Sequence, residues 1–290
     1  MSSLEGSAQK QAQDRSNLIT RSITALVLGP LVLLIAYLGG IPFLITGLLL
    51  AVLTLMEFYA LGRTHNQQGH LAIGLPVVVV MVLLLTAHET SLIQGLLLDA
   101  ALIFIAALLS LALEAYRGWQ QGWRGRVAIT AFGLIYAGLP PAFMIRIRAL
   151  PDGLLWIYLI FALTWGTDTL AYMGGRLWGK RMLAPRISPK KTIEGALVGV
   201  VGGFLIGLIV VLLAGKFTPF LMLILLLAPP VAVIGDLFES GLKRHFQIGD
   251  SHVTGLNIIP GHGGVMDRTD ALIWVVTLFY AYFLLTGAAA

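Results

Sequence analysis

Apolar runs long enough to cross a bilayer, separated by short polar breaks, fill the chain from residue 23 onward. A hydrocarbon core of roughly 30 Å needs about 20 mostly apolar residues in helical form. The pattern predicts spans at Ile23–Leu38, Phe43–Leu61, Leu71–Ala87, Leu92–Leu113 and Val127–Phe143, then at Leu154–Gly174, Ala196–Ala214, Phe217–Ile234 and Ala271–Leu285. The fold class is all-α, a polytopic transmembrane helical bundle of about nine spans. Residues 1–22 are polar and read as a disordered cytoplasmic tail rather than a signal peptide, since many spans follow and no cleavage pattern does.

Composition agrees with that class. Of 290 residues, 58% are hydrophobic and 11% charged, where a soluble domain carries about 25% charged residues. The absence of cysteine excludes disulfides, thiolate chemistry and thiolate-bound metal. The net charge of +5 is not gathered into one basic tract, which argues against nucleic acid as a partner.

Charge also orients the bundle. With the N-terminus inside, the inner segments hold sixteen of the 19 Lys and Arg residues, and the outer ones only Arg146, Arg148 and Lys216. This asymmetry is the positive-inside bias. It puts two long polar segments, Gly175–Gly195 and Gly235–Asp270, on the cytoplasmic side.

The second segment carries the strongest chemistry. Asp236 follows a span; Lys243 and Arg244 come next; then Pro260-Gly261-His262-Gly263-Gly264 leads to Asp267-Arg268-Thr269-Asp270 and an apolar helix. Asp267 and Asp270, at i and i+3, share a helix face. Glycines before a helix start expose backbone N–H groups suited to phosphate. Hard carboxylates beside Lys243, Arg244 and Arg268 suit Mg²⁺ with a polyphosphate. The acids would also favour a helix N-terminus without any ligand. In the first segment Asp168 lies near a span end, and Ser188, Lys190, Lys191 and Thr192 offer hydroxyls and point charges to phosphate. The lysines also fit the topology bias alone. Glu194 stands just inside the next span, where an acid is costly unless used or paired. Glu57 and Asp99 read as acids paired within the bundle or at its interface. His65, His70 and His88 read as loop histidines, and Trp119, Trp123 and Trp156 as interfacial anchors.

These two segments resemble the phosphatidate cytidylyltransferase (CDP-diacylglycerol synthase) family. The likeness rests on Ser240-x-x-Lys243-Arg244, the Pro-Gly-His-Gly-Gly turn and Asp267-Arg268-x-Asp270, and on the Asp168-Thr-x-Ala-Tyr and Ile-Ser188-Pro-x-Lys191-Thr192-x-Glu194-Gly patterns. It departs where Gly249 replaces the family's lysine before Asp250, and Ser251–Ile259 is longer than the usual spacer. The resemblance implies an enzyme making CDP-diacylglycerol and pyrophosphate from CTP and phosphatidic acid. Asp236, Asp267 and Asp270 would hold Mg²⁺, alone or with a second cation. Lys243, Arg244, Asp250, His262 and Arg268 would complete the catalytic set. Asp168, Ser188, Lys190, Lys191, Thr192, Glu194, Gly263 and Gly264 would bind substrate. The likeness makes 23–150 an N-terminal set of transmembrane helices and 151–290 a C-terminal transmembrane catalytic region. It points to a bacterial inner membrane with the site facing the cytoplasm, in a polar cavity open to water and lipid. A homodimer stays open. A CTP-dependent lipid or polyprenol kinase, and a transporter or lipid-binding scaffold, remain the other readings.

Overall fold

The computed structural model describes residues 26–84, 91–248 and 264–287. It is a polytopic bundle of helices. In chain order these are α1 (Leu26–Leu38), α2 (Gly40–Leu61), α3 (Leu71–Leu84), α4 (Leu92–Tyr116), α5 (Trp123–Gly133), α6 (Leu139–Ala149), α7 (Gly153–Trp178), α8 (Ile193–Leu213), α9 (Pro219–His245) and α10 (Met266–Thr286). α5 and α6 join through a π-helical turn, Leu134–Gly138, into one rod. Among the described residues, counting that rod once, seven helices are long and apolar enough to cross a membrane, and α1 and α3 are shorter. The tail at 1–22 lies outside the described residues.

The all-α class expected from sequence holds, with one local addition: β1 (Met182–Ala184) and β2 (Ser188–Thr192) form a small antiparallel hairpin between α7 and α8. The alternating Ser188-Pro-Lys-Lys-Thr192 stretch pairs with β1 because the connecting residues turn tightly, with Ile187 N–H donating to Ala184 O at 3.1 Å.

Local chemistry sets the helix ends. Thr192 caps α8 by accepting from Gly195 N–H at 3.2 Å. Thr218 does the same for α9 through Leu221 N–H at 3.1 Å, with Pro219 at the first position, where its missing N–H costs nothing. Ser91 and Gln94 form a reciprocal capping box on α4. Pro140 and Pro141, inside the predicted fifth span, do not break it, because they fall in the first turn of α6 directly after the π-turn.

The turn from α1 to α2 depends on Gly39, at φ 61°, where a β-carbon would lie 2.7 Å from Arg148 Nη2. Arg148 in turn donates to the α1 carbonyls of Ala36 and Tyr37 at 2.8 and 3.2 Å.

The closest helix packing is α7 on α8. The buried residues of α8 are Gly195, Gly199, Gly203, Gly207 and Val211, one stripe at four-residue spacing. Leu197, Val201, Leu205 and Ile209 form the opposite, exposed face. A β-carbon at Gly195 would stand 2.6 Å from Ala171 O, and one at Gly199 2.7 Å from Thr167 O. Small residues let membrane helices approach where apolar burial gives no drive between them.

Two apolar clusters run through the bundle. One joins α7, α9 and α10 to Phe143 and Ile147 of α6; the other joins α2, α3, α5 and the π-turn to Met266 and Ile273 of α10. Helices on both sides of residue 150 therefore share cores, and α10 belongs to both.

Candidate active site

The site is built at one end of the bundle, from the end of α9, the start of α10, the last turns of α7 and the β-hairpin. α9 presents Asp236, Glu239 and Lys243 at three- and four-residue spacing, on one face. α10 runs back along it. Lys243 Nζ lies 2.8 Å from Glu239 Oε2 and 3.1 Å from Asp267 Oδ1. One level deeper, Gly235 lets α10 come close: a β-carbon there would meet the Trp274 ring at 2.6 Å and Asp270 O at 3.1 Å.

The charged residues divide into two groups. In one, Asp168 of α7, Asp236 of α9 and Asp270 of α10 lie within electrostatic reach of one another, with Lys191 of β2 among them. Lys191 is ion-paired to Asp236. In the other, Glu239, Lys243 and Asp267 form the pairs given above, and Asp267 Oδ2 accepts from Gly264 N–H at 3.2 Å. The expected trio of Asp236, Asp267 and Asp270 is thus distributed over two neighbouring groups along the α9–α10 seam.

Among the described residues, no three His, Asp or Glu side chains converge tightly enough to form a ready-made cation site. The donor chemistry nevertheless fits Mg²⁺, which takes one or two carboxylates and completes its shell with water and substrate phosphate. Asp236 and Asp270 would supply those oxygens, and the ammonium of Lys191 already places a positive charge among the carboxylates.

The hairpin sorts the other candidates. Lys190 and Lys191 are adjacent on a strand and point to opposite sides. Lys191 turns in to Asp236, whereas Lys190 is exposed. Ser188, half-buried, opens the strand. Arg244 Nε donates to Ile187 O at 3.3 Å and pins the hairpin turn to the end of α9. Thr192 is engaged as the α8 cap. Glu194 accepts from Lys180 N–H, Arg181 N–H and Arg181 Nε at 3.0, 3.1 and 3.1 Å, so its carboxylate ties the start of the hairpin to α8. Arg268 is exposed. Asp250, His262 and Gly263 lie outside the described residues, as do Gly249 and Ser251–Ile259.

Two side chains, Glu239 and Tyr136, enter the picture without a role read from sequence, and a third, Glu57, was read only as an acid paired within the bundle or at its interface. Glu57 of α2 is buried, and its two oxygens accept from Val265 N–H at 2.9 Å and Met266 N–H at 2.7 Å. It fastens the start of α10, the helix that carries Asp267 and Asp270. Its cost as a buried acid flags it in sequence, but its partners are more than 200 positions away. Glu239 has a legible signal: it stands three residues after Asp236 and four before Lys243. Tyr136, in the π-turn, has none.

Other polar residues are structural. Asp99 pairs with Arg146 at 2.8 Å, and Arg146 also donates to the Tyr280 hydroxyl at 3.0 Å. His70 does lie in a loop, directly before α3, but it is buried there, 2.8 Å from Glu114 and 2.6 Å from Ser110, in a network that includes Arg126. Trp156, in the first turn of α7, is a buried ring, edge-on to Phe283. His88 lies outside the described residues.

Comparison with known proteins gives a consistent outcome. The cytidylyltransferase family model matches residues 19–286. The chain is similar to a phosphatidate cytidylyltransferase of Brucella abortus biovar 1 (strain 9-941), at 35% identity over 273 residues, 92% of this chain and 93% of that protein. A Staphylococcus saprophyticus protein of the same name is 32% identical over 257 residues, 84% of this chain and 94% of its own. One from Bacillus subtilis (strain 168) is 40% identical over 162 residues, 55% of this chain and 58% of its own.

Proposed function

The chain belongs to the cytidylyltransferase family, and from that membership we propose that the charged end of the bundle transfers the cytidylyl group of CTP to phosphatidate. The protein is an enzyme of phospholipid biosynthesis, and its product is CDP-diacylglycerol. The observation that carries the assignment of the site is the gathering of Asp168, Asp236 and Asp270, from three helices, around the one lysine that the hairpin turns inward.

The reaction needs little covalent help. An oxygen of the phosphatidate phosphate bonds to the α-phosphorus of CTP. The bond from that phosphorus to the oxygen bridging the β-phosphorus breaks, and pyrophosphate leaves with the electron pair. The nucleophile is already an anion, so no general base is required. The task is to hold two anions in line and offset their charge. Lys190 and Arg244, exposed at the mouth, meet the incoming polyphosphate. Lys191 brings positive charge to the acids. Lys243 holds Asp267, and through Gly264 N–H the turn before α10 is held as well. Asp236 and Asp270 would hold Mg²⁺, which when bound neutralises phosphate charge.

Phosphatidate would arrive from the side. Tyr172, Leu177 and Trp178, on the last turns of α7, and Met182, at the start of the hairpin, are all exposed. They offer apolar surface at the end of α7 and the start of the hairpin, suited to acyl chains beside a polar headgroup site. The same end would face the cytoplasm of a bacterial inner membrane, where CTP is available. Sixteen cations favour it. The three at the other end are engaged: Arg146 by Asp99, Lys216 by Asp152 at 2.5 Å, and Arg148 by the α1 carbonyls.

Purified protein given labelled CTP, phosphatidate and Mg²⁺ should release pyrophosphate and form CDP-diacylglycerol in equal amounts. Release of CDP with a phosphorylated lipid would replace this reading with a lipid kinase, and no turnover would leave a transporter or scaffold.

A further inference from the structure

Tyr136 lies in the π-turn and is 4% exposed. Its ring packs against Phe58 at 5.3 Å, Phe132 at 6.2 Å and Phe238 at 5.7 Å. Among the described residues its hydroxyl has no hydrogen-bond partner. That hydroxyl is within electrostatic reach of Asp236, Glu239, Asp267 and Asp270, the acids of both groups along the α9–α10 seam.

Two more buried polar atoms of the same neighbourhood have no partner among the described residues: Glu239 Oε1 and Trp274 Nε1. Phe238 connects them, since its ring meets Tyr136 on one side and Trp274 at 5.3 Å on the other, and Glu239 follows it in the chain. A lone buried donor without a partner destabilises a fold and is rare. Two such donors, the Tyr136 hydroxyl and Trp274 Nε1, flank the Phe238 ring beside a charged site and are available to an acceptor that enters it. The π-turn adds a second mark. Such turns insert one residue into a helix, redirect the side chains that follow, and occur often at functional sites.

We propose that Tyr136 is a phosphate-binding residue of this site, its hydroxyl donating a hydrogen bond to a phosphate oxygen of a substrate held along the α9–α10 seam. The inference rests on the cytidylyltransferase reading. A phenol suits this place better than another cation. It donates without adding charge next to Lys243, and its aromatic body fills the apolar wall formed by Phe58, Phe132 and Phe238. The phosphate belongs to either CTP or phosphatidate, and the two can be told apart kinetically.

The test is Tyr136→Phe, which keeps the ring and removes only the hydroxyl. The melting temperature of the purified variant should equal or exceed that of the native protein, because an unpartnered buried group has been removed. Its kcat/KM should fall about ten- to a hundredfold, the effect of losing one hydrogen bond to a charged group. A raised KM for one substrate identifies the phosphate; a fall confined to kcat assigns the bond to the reacting phosphate in the transition state. Native kinetics in Tyr136→Phe overturn the inference while leaving the cytidylyltransferase reading intact, provided the unaltered protein turns over. A lower melting temperature alongside lost activity also overturns it, because the hydroxyl is then structural. An unaltered protein that makes no CDP-diacylglycerol removes the reading itself, and the inference with it.

Discussion

Glu57 of α2 takes both leading N–H groups of α10 on its two carboxylate oxygens. An anion at a helix N-terminus is favoured by the helix dipole and pairs donors that have no intrahelical acceptor. Here it also fixes the turn from which Asp267 and Asp270 project. Glu57→Ala is expected to lose about 2 kcal/mol or more of stability, seen as a lowered melting temperature, together with activity, because the oxygens of Glu57 hold the start of α10. An unchanged melting temperature would show that α10 holds its start by packing alone. Much of the site was legible residue by residue. The i, i+3 acids are named by their spacing, since three- and four-residue steps fix which side chains share a helix face; Asp236 is named by its place at a span end, and the lysine pair by its charge. The distribution of those acids into two groups was not legible, because it depends on how α10 runs along α9. Glu57 was visible as a costly acid, but no local pattern points to a partner in the last helix.

At the scale of elements, the stripe Gly195, Gly199, Gly203 and Gly207 determines how near α8 stands to α7, and so where Asp168 and the hairpin meet Asp236. Gly199→Val would force methyl groups into the Thr167 carbonyl and the Ala171 side chain. Overpacking of this kind costs about 1–3 kcal/mol, and the hairpin lysine should move from the acids with it. Thermal unfolding and turnover should both suffer, whereas Leu197→Ala on the outward face should leave both near native. Equal tolerance of the two changes would mean that the close approach is not needed. Hydropathy found the long helices because length and apolarity are local properties. It missed the β-hairpin, whose five-residue strand is stabilised by its pairing with β1 and by Arg244 of α9. It also missed the π-turn, which lets Pro140 and Pro141 open a new helix rather than end the rod.

Across the whole molecule, the two ends of the bundle differ in the fate of their charges. At one end Arg146, Arg148 and Lys216 are each consumed by a partner. At the other, Lys190 and Arg186 stand exposed on the hairpin. The chain has no cysteine, so single cysteines report topology cleanly. Arg186→Cys, on the hairpin turn, should resist an impermeant thiol reagent in intact cells and react after permeabilisation. Lys216→Cys should react directly. The reverse pattern would invert the bundle.

The central claim is that the acids gathered from α7, α9 and α10 carry out cytidylyl transfer. It is tested most directly by the initial rate of CDP-diacylglycerol formation from CTP and phosphatidate, measured for the native protein and for Asp270→Asn at equal folded amounts. Asparagine keeps the size and one oxygen but removes the charge that a divalent cation requires. The native protein should turn over and Asp270→Asn should fall to background while expressing and melting like the native chain. An Asp270→Asn protein that works at the native rate would contradict the account and move the chemistry elsewhere in the bundle.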